Sequence, residues 1–120
     1  MQHHTIPSVL HPEDLDHVTG LFKALSEPLR VQLVLLLQGG ERNVSDLTQA
    51  LHQPQSTVSR HLALLRHAEL VRTRRDGPSV FYSLADAHVA QLVAEAFSHA
   101  QHERLGLPDH PNRDPVEGSR

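Results

Sequence analysis

The sequence predicts a mainly α-helical domain with a small β-hairpin: a winged helix-turn-helix that forms a homodimer through its N- and C-terminal helices. Three observations lead there. Successive segments repeat apolar residues at helical spacing. One late stretch changes to short β-rich runs around a Gly-Pro turn. The helix before that stretch opens with short polar side chains instead of apolar ones. A chain of 120 residues suits one domain with one modest core. Residues 1–11 read as a flexible arm, 12–105 as the winged helix-turn-helix domain, and 106–120, rich in Pro, Gly and charge, as a disordered tail.

The elements follow in order. Pro12-Glu13-Asp14 opens a first helix, with proline in the first turn and acids at the positive end of the helix dipole. Leu15, Val18, Leu21, Phe22 and Leu25 lie along one face of it. Ser26-Glu27-Pro28 breaks and restarts the chain, with Ser26 expected to cap the next helix. That helix, Leu29 to Leu37, is apolar almost all round and therefore central, and Gly39-Gly40 ends it. Ser45 is expected to cap a short helix with Leu47, Ala50 and Leu51 inward. A turn at His52-Gln53 leads to Pro54 and a helix running to about His67, packed through Val58, Leu62 and Leu65. Val71–Arg75 and Val80–Leu84 read as strands flanking the turn Asp76-Gly77-Pro78-Ser79. A last helix runs from about Ala85 to Arg104 and stops at Gly106 and Pro108.

Composition narrows the function. Apolar residues make up 38% and aromatics only 3%, so the core is aliphatic. The absence of cysteine excludes disulfides, thiolate metal sites and cysteine nucleophiles together. Histidine is abundant, at 11 copies, and neutral imidazole is a good ligand for zinc, nickel, copper and cobalt. No apolar run approaches the roughly 20 residues of a membrane span, and the first residues lack a signal-peptide pattern, so a soluble cytoplasmic protein is expected.

The net charge is −3, yet its distribution favours nucleic acid. Arg60, Arg66, Arg72, Arg74 and Arg75 gather between Ser59 and Arg75, where the one acid is Glu69. A local basic face of this kind suits phosphate.

In a helix-turn-helix the second helix presents its N-terminal side chains to base edges in the major groove. Gln55, Ser56, Thr57, Ser59, Arg60 and His61 occupy that stretch here. Gln pairs bidentately with adenine, Arg with guanine, and Ser or Thr reaches base or phosphate. Arg72, Arg74 and Arg75 on the hairpin are placed for phosphate or the minor groove. Double-stranded operator DNA is the partner these residues imply.

The last helix carries a second candidate site. At about 100° per residue, His99 lies ~20° around the helix from His88, and His102 ~40° to the other side. The three share one stripe, beside an apolar stripe of Val89, Leu92, Val93 and Ala96. Along the axis, however, His88 and His99 are about 16 Å apart, whereas ligands of one ion lie within ~4 Å of each other. A single helix therefore cannot close the site. Two copies packed antiparallel through the apolar stripe can, bringing Asp86 and His88 of one chain to His99 and His102 of the other, twice per dimer. By ideal helical angle Asp86 falls on the far side, so it must sit in a relaxed first turn.

The runs Leu25-Ser26-Glu27-Pro28-Leu29-Arg30, Ser45-Asp46-Leu47, Ser56-Thr57-Val58-Ser59-Arg60-His61-Leu62 and Leu65-Arg66 resemble the ArsR/SmtB metalloregulators, over about residues 15–105. The resemblance implies a homodimeric repressor released from its operator by an inducing metal. Asp86, His88, His99 and His102 match the pattern of the dimer-helix sensing site in the zinc- and nickel/cobalt-responsive members. Two departures stand out. Glu69 replaces the family's usual glycine in a position expected to be left-handed, and the Cys-x-Cys sensing motif is absent, which disfavours arsenic, lead and cadmium.

Three His and one carboxylate suit tetrahedral zinc. Asp86–Leu92 and Leu105-Gly106-Leu107 are similar to the nickel/cobalt branch, where further histidines come from the tail and the N-terminus. Here His3, His4 and His110 are the candidates, and Arg104 stands where one tail ligand is expected. Zinc and nickel/cobalt both stay open as the effector, as does the choice between repression and activation. Two other readings compete: a winged-helix DNA-binding regulator not gated by metal, and a histidine-rich metal-buffering protein. An enzyme is not expected, because no general base stands beside the proposed ligand set.

Overall fold

The computed structural model describes residues 9–106. His3, His4 and His110, the additional ligand candidates, lie outside the described residues, as do most of the arm and tail assigned from sequence. The elements run α1 (Pro12–Ala24), α2 (Pro28–Leu37), β1 (Arg42–Asn43), α3 (Val44–Leu51), α4 (Gln55–His67), β2 (Val71–Asp76), β3 (Ser79–Leu84) and α5 (Ala87–Leu105).

The first helix begins on Pro12, with Glu13 and Asp14 in its first turn and Lys23 in its last, charges that complement the dipole at both ends. No residue of α1 is buried. Leu15, Val18 and Phe22 expose 54%, 48% and 56% of their surface and have no cover among the described residues, while Leu21 and Leu25 on the same helix face pack against the core. Ser26 does not cap α2. Its Oγ donates to the Lys23 carbonyl at 2.7 Å, closing the end of α1, and Glu27 takes the N-cap position with extended backbone.

The sheet has three strands in the order β1-β3-β2, one more than the hairpin expected from sequence. The added strand is two residues long, pairing Arg42 with Tyr82 and Asn43 with Phe81. Asn43 then caps α3: its side chain accepts from the Asp46 N–H at 2.8 Å. Ser45, the expected cap, sits inside the first turn. In the hairpin, Asp76 pairs with Ser79, leaving a two-residue loop, and Gly77 has φ +62°. Proline at the next position cannot follow with positive φ, so the loop is of the II′ kind, whose twist suits a hairpin.

The core is built on α2. Leu33, Val34 and Leu37 meet Leu47 of α3, Val58, Leu62 and Leu65 of α4, Leu70 and Val71 at the start of β2, and Val89 and Val93 of α5. Ala50, expected to face inward, is exposed. The end of α4 is a Schellman turn. Leu70 N–H donates to the Leu65 carbonyl and Glu69 N–H to that of Arg66, both at 2.9 Å, around Glu69 at φ +63°. The left-handed conformation expected at Glu69 is thus present. Leu65 and Leu70, the apolar pair that accompanies such a turn, are both buried.

Candidate DNA-reading surface and metal-ligand helix

The turn between α3 and α4 depends on His52, whose φ of +54° ends α3 in one residue and lets α4 start at Gln55. Gln55, Ser56 and Arg60 are exposed at the N-terminal end of α4, with Thr57 and Ser59 partly exposed beside them. His61 departs from the sequence expectation. It is 7% exposed and faces α2, where its Nδ1 lies 3.1 Å from Arg30 Nη1. Its helical position explains this, three residues after Val58 and four before Leu65, on the buried stripe. It is not presented to a ligand beside Gln55 and Arg60.

On the wing, alternation puts Arg72 and Arg74 on one face and Thr73 and Arg75 on the other. All are exposed. Arg74 is already engaged: Nε and Nη2 donate to the two Glu41 carboxylate oxygens at 2.9 and 2.8 Å. Its guanidinium lies 4.8 Å from the Phe81 ring centroid, Phe81 being its cross-strand neighbour. This bidentate clamp holds the Glu41 carboxyl below the usual carboxylate range, the hydrogen bond from Arg74 being the main cause. Arg74 therefore ties the wing to the segment before β1, leaving Arg72 and Arg75 as the less encumbered cations of the hairpin.

The metal-ligand candidates lie on α5. Asp86 is its N-cap, outside the helical conformation, and its Oδ1 accepts from the N–H groups of His88 and Val89 at 3.0 and 3.2 Å. Extended backbone at this residue swings the carboxylate to the imidazole side, 3.7 Å from His88 Nδ1. Both cap bonds fall on Oδ1, and among the described residues Oδ2 accepts no hydrogen bond. His88 and His99 are exposed, and His102 is partly so.

The apolar stripe differs from expectation. Val89 and Val93 are buried in the chain's own core, which Gln38 reinforces by donating from Nε2 to the Ala90 carbonyl at 3.0 Å. They are therefore unavailable to a second copy. On α5, Phe97 and Leu105, 41% and 54% exposed, are the large apolar side chains left uncovered. Glu95, seven residues after His88 and four before His99, falls within ~20° of the same stripe. Sequence reasoning omitted it, although helical angle alone marks it.

A cleft of about 320 Å³ opens where α1, the α4–β2 turn and the start of α5 meet, lined by His17, Glu69, Asp86, His88 and apolar neighbours. His17 Nε2 is 3.2 Å from Glu69 Oε1 across it. Among the described residues of one chain, no three His, Asp or Glu side chains converge as a metal would require.

A helix pair sharing one core and followed by an arginine-bearing antiparallel wing defines a winged helix-turn-helix DNA-binding regulator. The model of the bacterial regulatory protein ArsR family matches residues 27–73. The transcriptional regulator KmtR of Mycobacterium tuberculosis is 41% identical over 104 residues, 87% of this chain and 80% of that protein. The transcriptional repressor SmtB of the same species is 41% identical over 101 residues, 84% of this chain and 75% of that protein. The solution structure of a homodimeric winged helix-turn-helix DNA-binding domain from Mycobacterium bovis superposes with a TM-score of 0.72 at 32% identity, covering 82% of this chain and 92% of that one. The chain belongs to the ArsR family; it is a transcriptional regulator and not an enzyme. Among the described residues, no helix is long and apolar enough to cross a membrane.

Proposed function

We propose that this chain is a homodimeric transcriptional repressor whose operator affinity is set by a divalent transition metal, zinc or nickel/cobalt, held by Asp86 and His88 of one copy and His99 and His102 of the other. The observation that carries this reading is the form of α5. Its ligand face is turned away from the buried Val89/Val93 face. It has a carboxylate and an imidazole together at its start and two imidazoles about 16 Å or more further along the axis. The donor set fits such an ion: one carboxylate and three imidazoles, without thiolate. A second copy is needed to complete it. The uncovered face of α1, with Phe97 and Leu105 of α5, supplies apolar surface for that pairing.

Gln55, Ser56, Thr57, Ser59 and Arg60 read base edges, and Arg72 and Arg75 hold phosphate. Two reading helices in a dimer meet successive major grooves about 34 Å apart, and a metal bound between copies favours one relative placement of them. Protons compete with metal for imidazole, so metal affinity falls as pH drops through the histidine range.

Operator binding by wild type and His99→Ala, each titrated with Zn(II), Ni(II) and Co(II), tests the reading. Wild type is expected to lose operator affinity with at least one metal, by about tenfold or more for a typical coupling energy, and His99→Ala to lose the response while binding DNA normally without metal. Equal responses from both proteins would remove His99 from the site. No response from either would leave a regulator that metal does not gate, and DNA affinity absent under all conditions would leave the metal-buffering reading.

A further inference from the structure

Among the described residues, His61 is the one buried polar side chain. It lies on the helix that reads DNA, and neither base contact nor metal binding uses it. Its Nδ1 faces Nη1 of Arg30, 3.1 Å away. A guanidinium carries donors only, so Nδ1 must present its lone pair. The ring is therefore neutral, with its proton on Nε2. Arg30 makes a second bond, from Nε to the carbonyl of Ala24, the last residue of α1. One side chain of α2 thus joins the end of α1 to the first turns of α4.

The charged groups around the ring oppose its protonation. Burial comes first, followed by the positive charges of Arg60 on α4 and Arg30 on α2; Glu27 at the start of α2 acts the other way, and the balance lowers the pKa of His61. A proton on Nδ1 would set an N–H against the guanidinium at a largely buried ring.

We propose that Arg30 and His61 are positioning residues for DNA reading: their contact sets α4 against α1, and proton uptake by His61 breaks it and lowers operator affinity without any metal. This rests on the reading that α4 enters the DNA groove. The sign is diagnostic. Positive charge gained on acidification strengthens binding to a polyanion, whereas loss of the Arg30–His61 contact acts in the opposite direction.

The test uses metal-free full-length protein and a duplex selected from a random pool for binding to wild type at pH 7.5. Nitrogen NMR reads the tautomer and protonated fraction of His61, and anisotropy reads DNA affinity, both from pH 7.5 to 5. The Nε2–H tautomer is expected at pH 7.5. Because only the unprotonated fraction is competent, Kd for wild type, taken relative to His61→Asn, should rise as that fraction falls, by about threefold when two thirds of His61 is protonated. Asn keeps a neutral acceptor near the Nδ1 position but does not titrate, so the variant supplies the baseline. An Nδ1–H tautomer, or the same pH slope in both proteins, overturns the proposal. If His61→Asn fails to fold, wild-type DNA affinity that stays level or strengthens while His61 protonates overturns it. Wild type that selects no duplex at pH 7.5 overturns the DNA-reading role first and this inference with it.

Discussion

Phe22 is the sharpest probe of how two copies meet. It sits on the uncovered face of α1, 56% exposed, and takes no part in the chain's own core. A phenylalanine side chain offers about 200 Å², so roughly 110 Å² of it faces solvent in a single chain. Covered by a partner at about 25 cal/mol per Å², that area is worth about 2.8 kcal/mol. Truncation to alanine leaves a methyl group, so about 2 kcal/mol per protomer is lost. The dimer contains the change twice. A loss of about 4 kcal/mol raises its dissociation constant about a thousandfold. Sedimentation equilibrium across nanomolar to micromolar concentrations measures this directly, and circular dichroism should find the helix content of Phe22→Ala unchanged at concentrations where it is monomeric. A dissociation constant within threefold of wild type would show that α1 does not form the interface, and the uncovered face would need another occupant.

Three further outcomes follow from named contacts. Glu69→Gly should raise the unfolding free energy by about 1 kcal/mol, because glycine removes the penalty of a left-handed residue; urea denaturation reads it, and a loss of stability would contradict strain at this turn. The Arg74–Glu41 clamp should stabilise the wing fully above the ordinary carboxylate range and weaken as pH falls through the lowered pKa of Glu41. Hydrogen exchange of the β2–β3 amides follows that loss, and Glu41→Gln should abolish its pH dependence. Arg75→Ala should reduce the slope of log K against log salt for operator binding by about one phosphate contact. Arg74→Ala should change it less, since Arg74 begins paired with Glu41.

The fold was legible wherever local chemistry decides it. Pro12 and Pro28 start their helices, Gly77 turns the hairpin, Gly106 ends α5, and the short β-rich runs on either side of the turn give the two wing strands. What stayed hidden was decided at a distance. Arg42 and Asn43 form a strand because β3 lies alongside, and nothing within that short segment calls for one. Arg74 looks like a phosphate ligand in sequence because Glu41, its partner, is 33 residues away.

Of the candidate site, the pairing of Asp86 with His88 follows from the N-cap, a local device. The ownership of Val89 and Val93 could not be read locally, since an apolar stripe serves its own core or a partner equally well. His61 was readable and was misjudged. Its spacing from Val58 and Leu65 puts it inside, and Arg30, the one charge on a helix that is otherwise apolar except for Gln32, is the signal of what it meets there.

Val89 and Val93 anchored in the core, with Gln38 holding the Ala90 carbonyl, make the first half of α5 a fixed root and the rest a projecting rod. Its 19 residues span about 28 Å. From Val93, the last anchored residue, the axis runs about 14 Å to His102, so a tilt of about 5° at the root moves that end by about 1.2 Å. The rod is a lever in both senses: a small force at the tip is magnified as torque where the helix meets α2, and a small repacking around α2 becomes a larger displacement at the tip.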